Sequence, residues 1–125
     1  MPTFKKEERL SSKKAIEQLF AQGNSFQCHP FRIIWKKDHF QTPFPARTAF
    51  SVPKKHFKKA VHRNLLKRRM REAFRKNKHL LYNDLQKHNI QITAMFVCVS
   101  NQLADYSETE QKIILSLQRL TNETK

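Results

Sequence analysis

Glycine is almost missing from this chain. Gly23 stands alone among 125 residues, so neither a glycine-rich phosphate cradle nor a dinucleotide-binding fingerprint can be drawn. Cysteine is scarce too: Cys28 and Cys98 lie far apart with no CxxC partner. Both are expected as buried, reduced thiols, which fits a cytoplasmic protein better than a disulfide scaffold. Ten Asp and Glu face 25 Lys and Arg. Asp84, Asp105, Glu108 and Glu110 read as solubility and capping residues, not as a metal-binding carboxylate cluster. The six histidines, at 29, 39, 56, 62, 79 and 88, show no HxxxH or HExxH spacing, which leaves no zinc site to expect. No apolar run approaches the roughly 18 to 20 residues that cross a bilayer. Nor does the opening MPTFKKEERL hold a signal-peptide core. No membrane partner and no catalytic residue of the chain's own are expected.

What is present is positive charge, and it is concentrated. Residues 54–78, KKHFKKAVHRNLLKRRMREAFRKNK, hold twelve Lys or Arg and one acid, Glu72. That window carries net +11 of the formal +15, leaving +4 for the rest. Solvated helix faces mix signs to limit self-repulsion, so an excess this lopsided points to a polyanion, whose phosphates release counterions when neutralised. Glu72 is expected to pair with its arginine neighbours on the helix surface.

The pattern along the chain is α+β. Ser11 or Ser12 caps a helix running to about Gln22, with Gly23 as its stop and Ile16, Leu19 and Phe20 at helical spacing. Residues 31–35 and 46–52 read as strands, separated by a loop with Pro43 and Pro45. The basic helix spans roughly 58–77, with Leu66, Met70, Ala73 and Phe74 as its apolar stripe. Asn64, Lys67, Arg68, Arg71 and Arg75 gather on an arc beside it, and Val61 and Leu65 offer a second apolar contact. A short helix follows over 79–87. Residues 90–99 form a nearly continuous apolar strand, expected to be central and buried on both faces. Ser107-Glu108-Thr109-Glu110 reads as a capping box opening a last helix to about Leu120. No repeat and no linker interrupts this order, so one domain is expected over 1–125, with short flexible ends at about 1–9 and 121–125. Most of the ten phenylalanines are expected to build the core, which leaves a few to spare for stacking. Spacing alone leaves Phe20 and Phe31 open, either as core or as platforms for unpaired bases.

The stretch KKAVHRNLLKRRMREAFR is more than generic. Ala60-Val61, Arg63-Asn64, Lys67-Arg68 and Arg71-Glu72 resemble the signature of the protein subunit of bacterial ribonuclease P. LSSKKAIEQLFAQGNSF resembles that family's opening helix and turn, PFRIIW its first strand, and ARTAFSVPKK its second strand with a lysine pair. ITAMFVCVS and the terminal helix follow in the same order. The resemblance implies a small α/β sandwich, a mixed sheet of about four strands, and a left-handed crossover between parallel strands. It implies an RNA-binding subunit of an endoribonuclease, with no obligate protein oligomer. The catalytic RNA partner would supply the chemistry and require Mg2+, while the protein itself binds no cofactor. Together they would remove the 5′ leader from precursor tRNA, the protein holding the leader and lowering the magnesium requirement. Carried over by position, Lys54, Lys55, Lys59, Arg63, Asn64, Lys67, Arg68, Arg71 and Arg75 are the implied RNA contacts. Ile16, Phe20, Phe31 and Ile34 are the implied leader cleft. Three departures stand out. Leu65 occupies a place where the family commonly has Arg, which removes a contact or moves it to Arg69. Lys58 replaces a usual Gly, and Ile16 and Ile34 replace frequent aromatics.

Other readings use the same features. A ribosome-assembly protein would use the basic helix on rRNA. A metal-dependent nuclease would need the acidic cluster that is missing. A DNA-binding helix would need a helix-turn-helix layout, which the element order lacks.

Overall fold

The computed structural model describes residues 3–125. Met1 and Pro2, part of one expected flexible end, lie outside the described residues. A 3-10 turn, Lys6–Glu8, precedes α1 (Lys13–Gln22), β1 (Asn24–Cys28), β2 (Phe31–Asp38) and β3 (Ala46–Ser51). Then come α2 (Ala60–Asn77), α3 (His79–Lys87), β4 (Gln91–Cys98) and α4 (Tyr106–Glu123). The sheet order is β1-β2-β4-β3. β2 runs antiparallel to β1 and β4, while β3 and β4 are parallel and joined by the α2–α3 crossover. The mixed four-stranded α+β architecture is the one expected.

β4 sits inside the sheet because its side chains are apolar on both sides: Ile92 through Phe96 are all buried. Alternation then sorts the strands into two faces. Phe31, Ile33 and Trp35 join Phe26, Phe96 and the inner faces of α2, α3 and α4 in the main core. Ile34 and Met95 point the other way and meet Leu10 and Leu19 under α1. Three helices therefore cover one face, and α1 covers only part of the other.

Local chemistry sets most of the boundaries. The Ser12 hydroxyl accepts the Ala15 amide at 3.2 Å to open α1. Gly23 closes it by donating to the Leu19 carbonyl at 2.8 Å. Its φ of −77° needs no glycine; close approach does. A Cβ there would lie 2.5 Å from the Leu19 carbonyl oxygen and 3.0 Å from the Ile34 side chain. The capping box expected at Ser107 is displaced by two residues. Asp105 is the cap, its carboxylate accepting the Glu108 amide at 2.9 Å. A charged acceptor suits the positive helix end, so Ser107 falls inside the first turn. β1 escaped the sequence pattern because Phe26 is its one buried residue. It is a polar edge strand, held by β2 and by Arg119, which donates to the Gln27 carbonyl at 2.9 Å.

The ends expected to be flexible carry packed structure. Phe4 sits edge-on to Phe50 and Phe74, at 6.0 and 5.7 Å between ring centroids. The Leu10 amide donates to the Thr48 carbonyl at 3.0 Å, which extends the β3 edge. Glu8 is fully buried and accepts from Lys78 at 2.5 Å, from the Tyr82 hydroxyl at 2.8 Å and from the Lys5 amide at 2.8 Å. At the other end α4 continues to Glu123, and Thr124 is buried. The reason is the same in both places. A few apolar or pairing residues among charged ones are enough to dock a short segment.

Removing the Glu8 carboxylate strands the Lys78 ammonium and the Tyr82 hydroxyl. Glu8→Ala is expected to cost about 3–5 kcal/mol in urea unfolding, the range for breaking a buried pair from one side. Burial, together with the bond to Glu8, pushes the Tyr82 phenol well above its ordinary 10.0. That contribution is intact below pH 10, where Tyr ionises in the unfolded chain, and is lost as pH rises further. The stability of Tyr82→Phe should therefore fall less steeply than wild type above pH 10.

Candidate nucleic-acid interface

α2 lies on the domain through one stripe, Leu66, Met70, Ala73 and Phe74, all buried. Opposite that stripe Asn64, Arg68 and Arg71 are exposed, and Lys67 is half-buried beside them. These four lie at helical neighbours' spacing and form the outward arc that the sequence implied. Lys54, Lys55 and Lys59 are exposed in the turn leading into the helix. Together they make a run of cations along one rigid element, with an amide at Asn64 for base or sugar contact.

Two of the implied RNA contacts have partners within the protein. Arg63 donates to the carbonyls of Phe57 and Lys58, at 2.8 and 2.9 Å, and ties down the turn before α2. Lys59 supplies no side-chain cap, so the turn is held by Arg63 and not by an acceptor at the helix end. Arg75 forms a two-pronged pair with Glu72 at 2.6 and 2.9 Å. Its hydrogen bonds, with a smaller contribution from Lys76, hold Glu72 below the usual carboxylate range. Arg69, the alternative to position 65, has a structural partner. It donates to the Ala104 carbonyl at 2.5 Å and fastens α2 to the loop before α4. Val61 makes no second apolar contact; it is 66% exposed on the first turn.

The implied leader cleft divides between the faces of the sheet. Phe20 is 54% exposed on α1, and Ile16 is half-buried one turn before it. Ile34 is on the same side but covered, at 3% exposure. Phe31 is not in this group. Its odd position sends it into the main core on the opposite face, fully buried. Three neighbours of Ile34 were missed: Arg32, Ser25 and Gln27 are exposed on the α1 side of β1 and β2. The Arg32 guanidinium lies 3.5 Å from the Ser25 hydroxyl. The signal that finds them is the period of two on β2, which places Arg32, Ile34 and Lys36 on one side. Counting apolar residues alone hides it.

The remaining chemistry is structural. Among the described residues, no three His, Cys, Asp or Glu gather in a way that holds a metal ion. No described helix is long and apolar enough to cross a membrane. Cys98 is buried, and burial pushes its thiol upward, whereas Cys28 is partly accessible.

Comparison with known proteins supplies the frame for these two surfaces. The family model described as Ribonuclease P matches residues 4–121. A ribonuclease P protein component from Porphyromonas gingivalis is 38% identical over 121 residues, covering 95% of this chain and 88% of that protein. The solved ribonuclease P protein from Thermotoga maritima superposes with a TM-score of 0.72 at 25% identity, covering 90% of this chain and 96% of that one. The Staphylococcus aureus ribonuclease P protein shares the fold, with a TM-score of 0.63 at 20% identity over 94% of this chain and 95% of that one. A match across nearly the whole chain, a relative of this identity and a shared fold have one reading: the chain belongs to the ribonuclease P protein component family.

Proposed function

We propose that this chain binds the ribonuclease P RNA through the outer arc of α2 and the single-stranded 5′ leader of precursor tRNA through the α1 side of the sheet. Family membership implies tRNA 5′ processing together with an RNA subunit; the division into two surfaces is the structural reading. The observation that carries it is Phe20. An aromatic ring more than half exposed on an otherwise anchored helix gains little where it is, and offers a stacking face to any unpaired base. Arg32 and Ser25 stand on the same side to meet phosphate or a base edge.

On this reading the protein breaks no bond. The Mg2+ ions belong with the RNA subunit, where they would activate water and stabilise the leaving oxygen. The chain's residues relieve repulsion between two polyanions and hold the leader in line, which is catalysis by positioning. Lys54, Lys55, Lys59, Asn64, Lys67, Arg68 and Arg71 carry the first task, Phe20, Ile16 and Arg32 the second. Ile34 supports α1 from beneath.

Three outcomes test the proposal. At limiting magnesium, cleavage of precursor tRNA at the mature 5′ end should need both the RNA subunit and this protein. Cleavage by the protein alone would place a missed active site in the chain, and RNA binding without stimulation would favour ribosome assembly. Lys67→Ala and Arg71→Ala should each weaken binding of the RNA subunit and flatten its log–log salt dependence by roughly 0.7 per lost phosphate contact. Phe20→Ala should cost about 1–3 kcal/mol in precursor binding and nothing for mature tRNA. Equal loss for both substrates would remove the leader from this surface.

A further inference from the structure

A groove of about 410 Å³ opens at the amino end of α1, lined by Arg9, Ser11 and Ser12 on one side and Asp38, Arg47 and Thr93 on the other. Its volume is many times the roughly 30 Å³ share of one water. Three independent features converge there. The first is the helix end: Ser12 and Ala15 line the groove, the Ser12 hydroxyl satisfies the Ala15 amide, and the unpaired amides of Lys13 and Lys14 between them give this end its positive polarity. The second is a pair of guanidiniums that meet no carboxylate within ion-pair distance among the described residues. Arg47 lies 4.5 Å over the Phe40 ring. Arg9 spends one N–H on the Phe4 carbonyl at 3.2 Å and keeps its other donors.

The third feature is an orphan. Thr93 is 2% exposed, and its hydroxyl has no hydrogen-bond partner. A buried hydroxyl left unpaired is costly, and this one lines the groove, where an incoming acceptor satisfies it. Two acids share the lining. The Asp38 carboxylate accepts the His39 amide at 2.8 Å, and Glu7 is exposed. Lys6 adds a third cation, so positive charge outweighs negative.

The geometry points to a phosphate site: we propose that Arg9, Arg47, Thr93 and the first amides of α1 close around one phosphate group, contributed by an RNA backbone. The phosphate chemistry stands on these residues alone; only its owner rests on the RNA-binding reading. A second, smaller groove supports the RNA assignment. It shares Arg9, Leu10 and Ser11, and reaches Arg71 on α2. A strand leaving the basic helix thus meets Arg71, then Arg9, then the α1 end, with the Phe4 and Phe50 rings lining the groove between them.

Inorganic phosphate titrated into the 15N-labelled full chain at constant ionic strength tests the site. Saturable shifts are expected at the Lys13 and Lys14 amides. Arg47→Gln should weaken them about tenfold and Thr93→Val about fivefold, while Lys67→Ala leaves them unchanged. Thr93→Val is nearly isosteric and loses no internal hydrogen bond, so it reports on the site even where Arg47→Gln disturbs the Phe40 stack. Shifts confined to residues 54–78, or equal affinity in both variants, would overturn the site. Salt dependence of RNA binding then identifies the owner. Arg47→Gln should lower the slope by roughly 0.7; an unchanged slope with phosphate binding lost would overturn the RNA assignment and leave free phosphate as ligand. A null result for Phe20→Ala in leader binding touches none of these outcomes.

Discussion

Twelve cations within residues 54–78 repel one another, and the apolar stripe of α2 is what holds them in one place. Leu66, Met70, Ala73 and Phe74 are each at most 1% exposed. Burying a Leu, Met or Phe side chain contributes about 1.5–3 kcal/mol, enough in sum to offset repulsion that water and salt already screen. Phe74 matters most, because it joins the amino-terminal turn, the sheet and α3. It touches Phe4 from the amino-terminal turn, Phe50 from β3, Phe96 from β4 and Tyr82 from α3, with centroids 5.5 to 6.3 Å apart. The basic face is rigid only because this ring cluster is.

The basic arc of α2 and the exposed α1 side lie on opposite sides of the sheet, and the edge that joins them is β3. Arg9 and Leu10 run beside it, and Arg71 overhangs it from α2. The buried Glu8 fixes that amino-terminal segment from below through Lys78 and Tyr82. An acid buried in a chain of net charge +15 is therefore an internal clamp. It neutralises the last cation of the basic window and aligns Arg9 between the two surfaces.

Much of this was legible in the residues. The stripe on α2, the buried β4, the short α3 and the Ser12 cap follow from periodicity and capping chemistry, and the motif helix carried the family resemblance. What periodicity could not supply was partnership. β1 has one apolar residue and exists because β2 offers it a ladder. Thr3 to Leu10 reads as charged and loose, yet Glu8 finds Lys78 seventy positions away. The family resemblance carries over both Phe31 and Ile34 as cleft residues, although strand spacing puts them on opposite faces; which face is open is not written in the spacing. That was decided by where α1 docks, through Leu19 on Ile34 and Met95.

Charge content also overstates contact. Arg63, Arg69, Arg75 and Lys78 each donate to protein acceptors, so a third of the window's cations serve the fold. They do not lose their charge in doing so. A guanidinium bonded to a neutral carbonyl, as at Arg63 and Arg69, still raises the local potential, and that field reaches about 8 Å at physiological salt. Arg75 and Lys78 face carboxylates and are largely cancelled. The helix thus carries three kinds of cation: those exposed on its outer arc, those bonded to neutral carbonyls that still add to the field, and those neutralised within the domain. Steering draws on the first two and specificity on the first alone, so the electrostatic footprint of α2 is wider than its contact footprint.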